Sequence, residues 1–133
     1  MAFSWLQLLL VGVGGGVGSI ARYTLSFSVN QAVAGGHSPL GTAVVNITGC
    51  FAIGLLAGLT ETRALLSPEM RLLVLTGLLG GFTTFSTFEY ETFALLRDGQ
   101  AMRALANVTG QFLIGLAAVA LGYALAHLGA RTA

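Results

Sequence analysis

The chain has 133 residues, enough for one domain of ordinary size, and carries a net charge of +1. Charged residues make up 8% of it and the apolar set AVILMFWYC makes up 55%, whereas a soluble domain carries about 25% charged residues. So few charges cannot cover a surface that faces water, and nothing in the charge balance indicates a nucleic-acid partner. We therefore expect an all-α membrane protein in contact with the lipid bilayer, with residues 1–133 forming a single transmembrane domain.

Four runs of at least about 20 mostly apolar residues predict four transmembrane helices. In chain order, we expect these helices at residues 5–27, 39–59, 71–96 and 101–128. Polar stretches separate them: a glycine-containing connection at 28–38, a charged loop at 61–69 and a tight turn at 97–100. No basic stretch precedes the first apolar run, so we expect that run to stay as a helix and not to be a removable signal peptide.

Glycines crowd the first helix and recur on the second. They are Gly12, Gly14, Gly15, Gly16 and Gly18, followed by Gly54 and Gly58 in a small-xxx-small spacing. Small residues let helix backbones approach closely in lipid, so we expect packing between helices and between subunits. The run in the first helix does not fit a dinucleotide-binding fingerprint, because its spacing fails and no strand precedes it.

The six arginines divide evenly between the two membrane faces. The face that holds both termini has Arg63, Arg71 and Arg131, and the opposite face has Arg22, Arg97 and Arg103. The positive-inside rule then gives no preferred orientation, and a chain without such a bias can insert both ways. We expect dual topology and an antiparallel homodimer. The alternative is a weak bias that is hidden because Arg22 is buried.

The centre of the third helix, GGFTTFSTF at residues 80–88, is unusual for a membrane span. Adjacent glycines are poor helix formers, so we expect the helix to be broken at Gly80-Gly81. Irregular backbone at membrane depth is tolerated only where protein or water satisfies its amides and carbonyls, and channels and transporters use such breaks as ion sites. The alternative is a kinked helix whose hydroxyls bond to their own turn.

The same stretch resembles the signature of the Fluc/CrcB family of fluoride channels. Two others are similar to that family: GVGSIARY at residues 16–23 and PLGTAVVNITGCF at residues 39–51. The expected helices match in number and placement, so the likeness covers nearly the whole chain. It implies a fluoride-selective channel in the bacterial inner membrane that exports cytoplasmic fluoride passively and so reduces fluoride toxicity. It further implies an antiparallel dual-topology homodimer with two pores and a structural sodium ion at its centre.

The resemblance also implies roles for individual residues. The backbone carbonyls of Gly80 and Thr83 from each subunit would bind the Na⁺. The residues implied for the fluoride pathway are Asn46, Phe85, Phe88, Ser86, Thr87, Asn107, Gln111 and Arg22. The matching stripe of the fourth helix continues with Gly115 and Val119, whose side chains cannot donate hydrogen bonds, so we expect no side-chain donors at the far end of this stripe.

These residue types suit a small anion that holds its water tightly. The amide of Asn46 can donate hydrogen bonds in place of that water, and the ring edges of Phe85 and Phe88 are electropositive. Each has a structural alternative: an interhelical hydrogen bond for the asparagine, core packing for the two rings, and snorkelling at the interface for Arg22. Glu91 should face protein or water, since an acid facing lipid is costly.

Two other classes of function stay open. A small proton-coupled exporter of cationic drugs has the same helix count, but it needs a carboxylate in the membrane and the first two spans have none. A membrane scaffold would not need a polar, broken centre. We expect no enzyme, because His37 and His127 have neither a nucleophile nor metal-ligand spacing beside them, and the single Cys50 excludes an internal disulfide.

Overall fold

The computed structural model describes residues 4–33, 38–63 and 65–131, with side chains as far as Leu128. The elements in order are α1 (Trp5–Val33), α2 (Pro39–Arg63), α3 (Pro68–Arg71), a π-helical segment (Leu72–Leu79), α4 (Gly80–Phe82), α5 (Phe85–Arg97) and α6 (Ala101–Arg131). The elements from α3 to α5 form one span, Pro68–Arg97, so four helical spans are long and apolar enough to cross a membrane. The prediction of an all-helical fold with four such spans is confirmed.

Several helix ends lie beyond the expected limits. The first helix continues to Val33, through a polar stretch that we expected to be a connection, and the second continues to Arg63. Hydroxyl side chains near these ends bond to their own preceding turn: Ser28 Oγ donates to the Thr24 carbonyl over 2.8 Å, and Thr62 Oγ1 donates to the Gly58 carbonyl over 2.8 Å. Such residues are satisfied within the helix and do not end it. His37 lies outside the described residues.

The spans pack as two parallel pairs, α1 against the first part of the third span and α2 against α6. Glycines make both contacts close. A Cβ on Gly14 would meet the carbonyl oxygen of Leu73, and a Cβ on Gly54 would meet the carbonyl oxygen of Val119. The expected packing of small residues between helices is therefore confirmed within the chain, where backbone approaches backbone directly. Their packing between subunits stays a prediction.

The third span is not one regular helix. Its π-helical segment is followed by α4, and then Thr83 (φ −80°, ψ 157°) and Thr84 (φ −148°, ψ 114°) are extended. We expected the irregularity at Gly80-Gly81, but both glycines lie inside α4. Gly81 serves close packing instead, because a Cβ on it would lie 2.8 Å from the Cα of Gly15.

The chain buries little apolar surface. Among the described residues, the buried apolar ones are Val45, Leu79, Ala104 and Ala126. Large apolar side chains are exposed on all four spans, as in Ile20, Ile53, Phe93 and Leu113. An apolar exterior around helices that satisfy their own backbone is the arrangement required in hydrocarbon, so the protein is a multi-pass membrane protein.

Candidate functional site

Two cavities meet where the third span is extended. The first, of about 600 Å³, is an open groove between α2, α6 and the third span, and its wall includes Asn46, Gly80, Thr83, Phe85, Phe88 and Gln111. The second, of about 380 Å³, lies between α1, α2 and α5, and its wall includes Arg22, Asn30, Thr42, Thr87 and Glu91. Thr84 belongs to both walls. The fold thus brings most of the predicted site residues into the walls of these two cavities. Two lie elsewhere: Ser86 is exposed and lines neither cavity, and Asn107 is reached only through its hydrogen bonds.

Asn46 on α2 holds the extended backbone of the third span. Its Oδ1 accepts the Thr84 N–H over 2.9 Å, and its Nδ2 donates to the Thr84 carbonyl over 3.1 Å. The same Nδ2 donates to Gln111 Oε1 over 2.9 Å. Both N–H groups of the amide are therefore engaged with protein, which corresponds to the interhelical hydrogen bonding that we gave as the alternative for this residue.

A relay of hydrogen bonds continues from Asn46 along α6 to α5. Gln111 Nε2 donates to Asn107 Oδ1 over 2.9 Å, and Asn107 Nδ2 donates to Thr92 Oγ1 over 2.9 Å. Thr92 Oγ1 donates in turn to the Phe88 carbonyl over 2.8 Å. Every member donates in the same direction, so their dipoles reinforce one another. We refer to these side chains, from Asn46 to Thr92, as the amide relay.

Two backbone carbonyls beside the interruption lose their helical donors. In a continuous helix the N–H of Thr84 would donate to the Gly80 carbonyl, and the N–H of Thr87 would donate to the Thr83 carbonyl. Here the first N–H donates to Asn46 Oδ1 over 2.9 Å and the second donates to Thr84 Oγ1 over 3.3 Å. Gly80 and Thr83 both line the first cavity. Neutral carbonyl oxygens of this kind are suitable ligands for a hard cation.

The two phenylalanines of the predicted pore lie together in the wall of the first cavity. The ring centroids of Phe85 and Phe88 are 5.8 Å apart, and the rings are tilted by 46°. Phe85 is 74% exposed, and thus it is not a core residue of the protomer. Both rings line the groove, and the edge of an aromatic ring carries the positive end of its quadrupole.

The second cavity holds charges of both signs. Thr42 Oγ1 donates to Glu91 Oε1 over 2.7 Å, so the carboxylate faces protein, as expected. Arg22 lines the same cavity, and its Nε is buried without a hydrogen-bond partner among the described residues. A guanidinium inside a polar cavity raises the local potential for anions.

Sequence reasoning missed Thr42, although it lies one helical turn before Asn46 and hence on the same face of α2.

The family is identified by a comparison over most of the chain. The family model described as CrcB-like protein, Camphor Resistance (CrcB), matches residues 9–123. The chain belongs to the CrcB family. This match confirms the family that the three sequence stretches indicated. Members of the CrcB family are ion channels and not enzymes, in agreement with the expectation from the sequence.

Curated relatives agree with the CrcB assignment. The chain is similar to a protein of Solibacter usitatus named fluoride-specific ion channel FluC, with 48% identity over 122 residues that cover 92% of this chain and 99% of the relative. Proteins of the same name from Methylobacillus flagellatus and Chlorobaculum tepidum are 46% and 48% identical over 122 residues, each covering 92% of this chain and 95% of the relative. The comparisons do not support the alternative of an exporter of cationic drugs.

The stripe on α6 that continues with Gly115 and Val119 packs against α2. Gly115 is buried, and a Cβ on it would lie 3.4 Å from Cys50 Sγ, while the carbonyl of Val119 faces Gly54. The two positions with no side-chain donor are thus packing positions in this protein. The polar side chains of α6 that belong to the site are those of the amide relay, and the relay includes Thr92, which the sequence analysis missed although it lies one turn after Phe88.

Proposed function

We propose that this protein is a fluoride-selective ion channel through which cytoplasmic fluoride leaves the cell passively, which reduces its toxicity. The names of the relatives support this function. The observation that carries it is the convergence of uncharged donors and aromatic rings at the interrupted third span. The amide relay and the pair Phe85 and Phe88 meet there at the centre of otherwise apolar spans.

The proposed mechanism replaces the water of a strongly hydrated anion by several weak donors. Gln111 lines the first cavity and uses one side-chain N–H in the amide relay, which leaves it a second N–H for an anion. Asn107 serves the pathway by holding Gln111 through the relay. Phe85 and Phe88 supply ring edges in place of a full positive charge. Weak donors matter because an ion that binds tightly cannot leave, and conduction requires exit as well as entry.

Arg22 and Thr87 are proposed to serve the second cavity as an anion vestibule. The guanidinium attracts anions, and the carboxylate of Glu91, held by Thr42, limits how tightly an anion is retained. Ser86 is exposed on the protomer and lines neither cavity, so its proposed place in the pathway depends on a second subunit. The proposed location is the bacterial inner membrane. A negative interior there drives an anion out with about 2.3 kcal/mol per unit charge per 100 mV.

The proposed assembly is an antiparallel dual-topology homodimer in which the broken third helices meet. Three features of one protomer support it: the first cavity is an open groove, Phe85 on its wall is 74% exposed, and the arginines are balanced between the two faces. Polar groups exposed to lipid are costly, because hydrocarbon cannot satisfy their hydrogen bonds. A second copy with inverted orientation would cover the groove and so keep its polar groups away from lipid.

The same dimer is proposed to hold a structural Na⁺. The carbonyls of Gly80 and Thr83 have lost their helical donors and are fitted to such an ion, but one chain offers only this pair. Two related chains would double the set of oxygens. The ion supplies positive charge, and the carbonyl groups of both chains supply its ligands, so the cation offsets unpaired backbone oxygen and joins the subunits.

Fluoride efflux from proteoliposomes tests the function. Vesicles loaded with potassium fluoride, diluted into low-fluoride medium and treated with a potassium ionophore should release fluoride far faster than protein-free vesicles. The matched measurement uses potassium chloride, and we expect chloride release close to that of protein-free vesicles. Fluoride release no faster than that of bare lipid would contradict the proposal.

A further inference from the structure

We propose that Asn46 is a positioning residue for the cation site, acting together with the Thr84 hydroxyl, and that its bonds to Thr84 make the Gly80 carbonyl available to a cation. This inference rests on the proposed function, because it assumes that the carbonyls of Gly80 and Thr83 bind Na⁺. It assigns Asn46 a task other than that of a pore donor, because both of its side-chain N–H groups are engaged with protein.

The first step concerns a choice between two acceptors for one hydrogen. The Thr84 N–H either closes the helical ring with the Gly80 carbonyl or donates to a side chain, since one hydrogen forms only one strong, well-aligned bond. It donates to Asn46 Oδ1 over 2.9 Å. The Thr84 carbonyl is satisfied by Asn46 Nδ2 over 3.1 Å, so the extended residue costs no unpaired polar group.

A second diversion of the same kind lies three residues further along. The N–H of Thr87 donates to Thr84 Oγ1 over 3.3 Å instead of closing a helical ring with the Thr83 carbonyl. The Thr84 hydroxyl thereby caps α5 at its N-terminus. Two side chains, Asn46 and Thr84, thus draw away the two N–H groups that would otherwise occupy the two proposed cation ligands.

The position of α2 is what lets Asn46 reach the third span. Gly49, one turn further along α2, is buried against Thr83, and a Cβ on Gly49 would clash with Thr83 Cγ2. Val45, next to Asn46, is 0% exposed, which fixes this turn of α2 in the protein interior. The close approach of α2 to the third span at Gly49 therefore sets the distance at which the amide of Asn46 meets the backbone of Thr84.

A physical consequence distinguishes this role from that of a pore donor. If the side chain at position 46 cannot accept the Thr84 N–H, that N–H returns to the Gly80 carbonyl and competes with the cation. The sodium affinity then falls, independently of fluoride movement. A residue that only contacts fluoride would leave the sodium affinity unchanged, because it would not compete for a cation ligand.

The test measures the thermal unfolding midpoint of the purified protein in detergent as a function of Na⁺, with N-methylglucamine keeping the ionic strength constant after sodium depletion. We expect Asn46→Leu to raise the Na⁺ concentration for half-maximal stabilisation by about tenfold or more. The control is Asn107→Leu, which removes another amide of the relay without touching Thr84 and should leave that concentration within about twofold of the parent.

A second pair of variants keeps the proposal testable if Asn46→Leu does not fold. Thr84→Val removes the hydroxyl that takes the Thr87 N–H and should raise the same concentration, while Thr84→Ser should restore it. An unchanged sodium dependence in Asn46→Leu, or in Thr84→Val where the first variant does not fold, would overturn the inference. A parent protein that conducts fluoride but shows no sodium dependence would also overturn it, leaving the channel proposal intact. Sodium dependence without fluoride efflux would refute the channel function alone.

Discussion

Thr42 and Glu91 are 49 residues apart in the chain, and Thr42 Oγ1 donates to Glu91 Oε1 over 2.7 Å. The bond joins α2 to α5 in the wall of the second cavity, and Thr42 is 3% exposed. A carboxylate among membrane spans must face protein or water, and this hydroxyl is one of the groups that keeps it there. A neutral side chain from another helix therefore helps to orient the acid in that wall.

Thr42→Val should weaken both folding and conduction. The variant keeps the shape of the side chain but removes the donor, and a hydrogen bond to a charged group contributes about 1.5–3 kcal/mol. We expect a lower thermal unfolding midpoint and slower fluoride efflux, with Thr42→Ser close to the parent in both. Thr48→Val is the matched control, because Thr48 is exposed on the same helix. Equal efflux in Thr42→Val and the parent would show that this bond has no part in conduction.

Phe85→Ile should slow fluoride efflux by about tenfold, which corresponds to a barrier raised by about 1.4 kcal/mol. Isoleucine is apolar and of similar bulk, but it has no ring edge to present to an anion. Size-exclusion chromatography should show the same oligomer as for the parent. Phe93→Ile is the control, since Phe93 is 59% exposed on α5 and lines neither cavity. Unchanged efflux in Phe85→Ile would remove this ring from the pathway.

Gly81→Ala should destabilise the protein, whereas Gly12→Ala should not. A Cβ on Gly81 would lie 2.8 Å from the Cα of Gly15, so one backbone must move, at a cost of about 1–3 kcal/mol. A Cβ on Gly12 meets no atom within 4 Å, and alanine is the better helix former. Thermal unfolding in detergent compares the two variants. A midpoint in Gly81→Ala at or above that of Gly12→Ala would contradict the close contact.

Met102→Arg should reduce fluoride efflux by biasing the orientation in the membrane. Met102 is 76% exposed at the start of α6, and an added arginine there breaks the balance between the two faces. Chains inserted in one orientation cannot form an antiparallel dimer. Adding Leu65→Arg at the opposite face, where the side chain is 56% exposed, should restore both balance and efflux. Efflux that is low in the double variant as well would show that Met102→Arg acts other than through orientation.

The sequence predicted the four spans because each is a long apolar run, and that pattern is local. It misplaced the irregular part of the third span for a reason that is also physical. Gly80 and Gly81 have poor helix propensity, yet α4 contains both, since Gly81 allows contact with Gly15. The extended residues are Thr83 and Thr84, because Asn46 takes the backbone bonds of Thr84 from 38 residues away. Helix propensity depends on the local sequence alone, so it cannot indicate a contact between residues this far apart in the chain.

The candidate site was predictable to the extent that its residues lie in recognisable stretches. Asn46, Phe85 and Phe88 were found in this way, and all three line the first cavity. Thr42 and Thr92 were missed because a threonine in a membrane helix usually bonds to its own preceding turn. Thr92 does so and is also an acceptor for Asn107, and only the fold brings that partner within 2.9 Å.

Thr84 lies in the walls of both cavities, and its hydroxyl also caps α5. A substitution at this position therefore alters the lining of two compartments and the start of a helix at once. The two compartments cannot be tuned separately through this side chain.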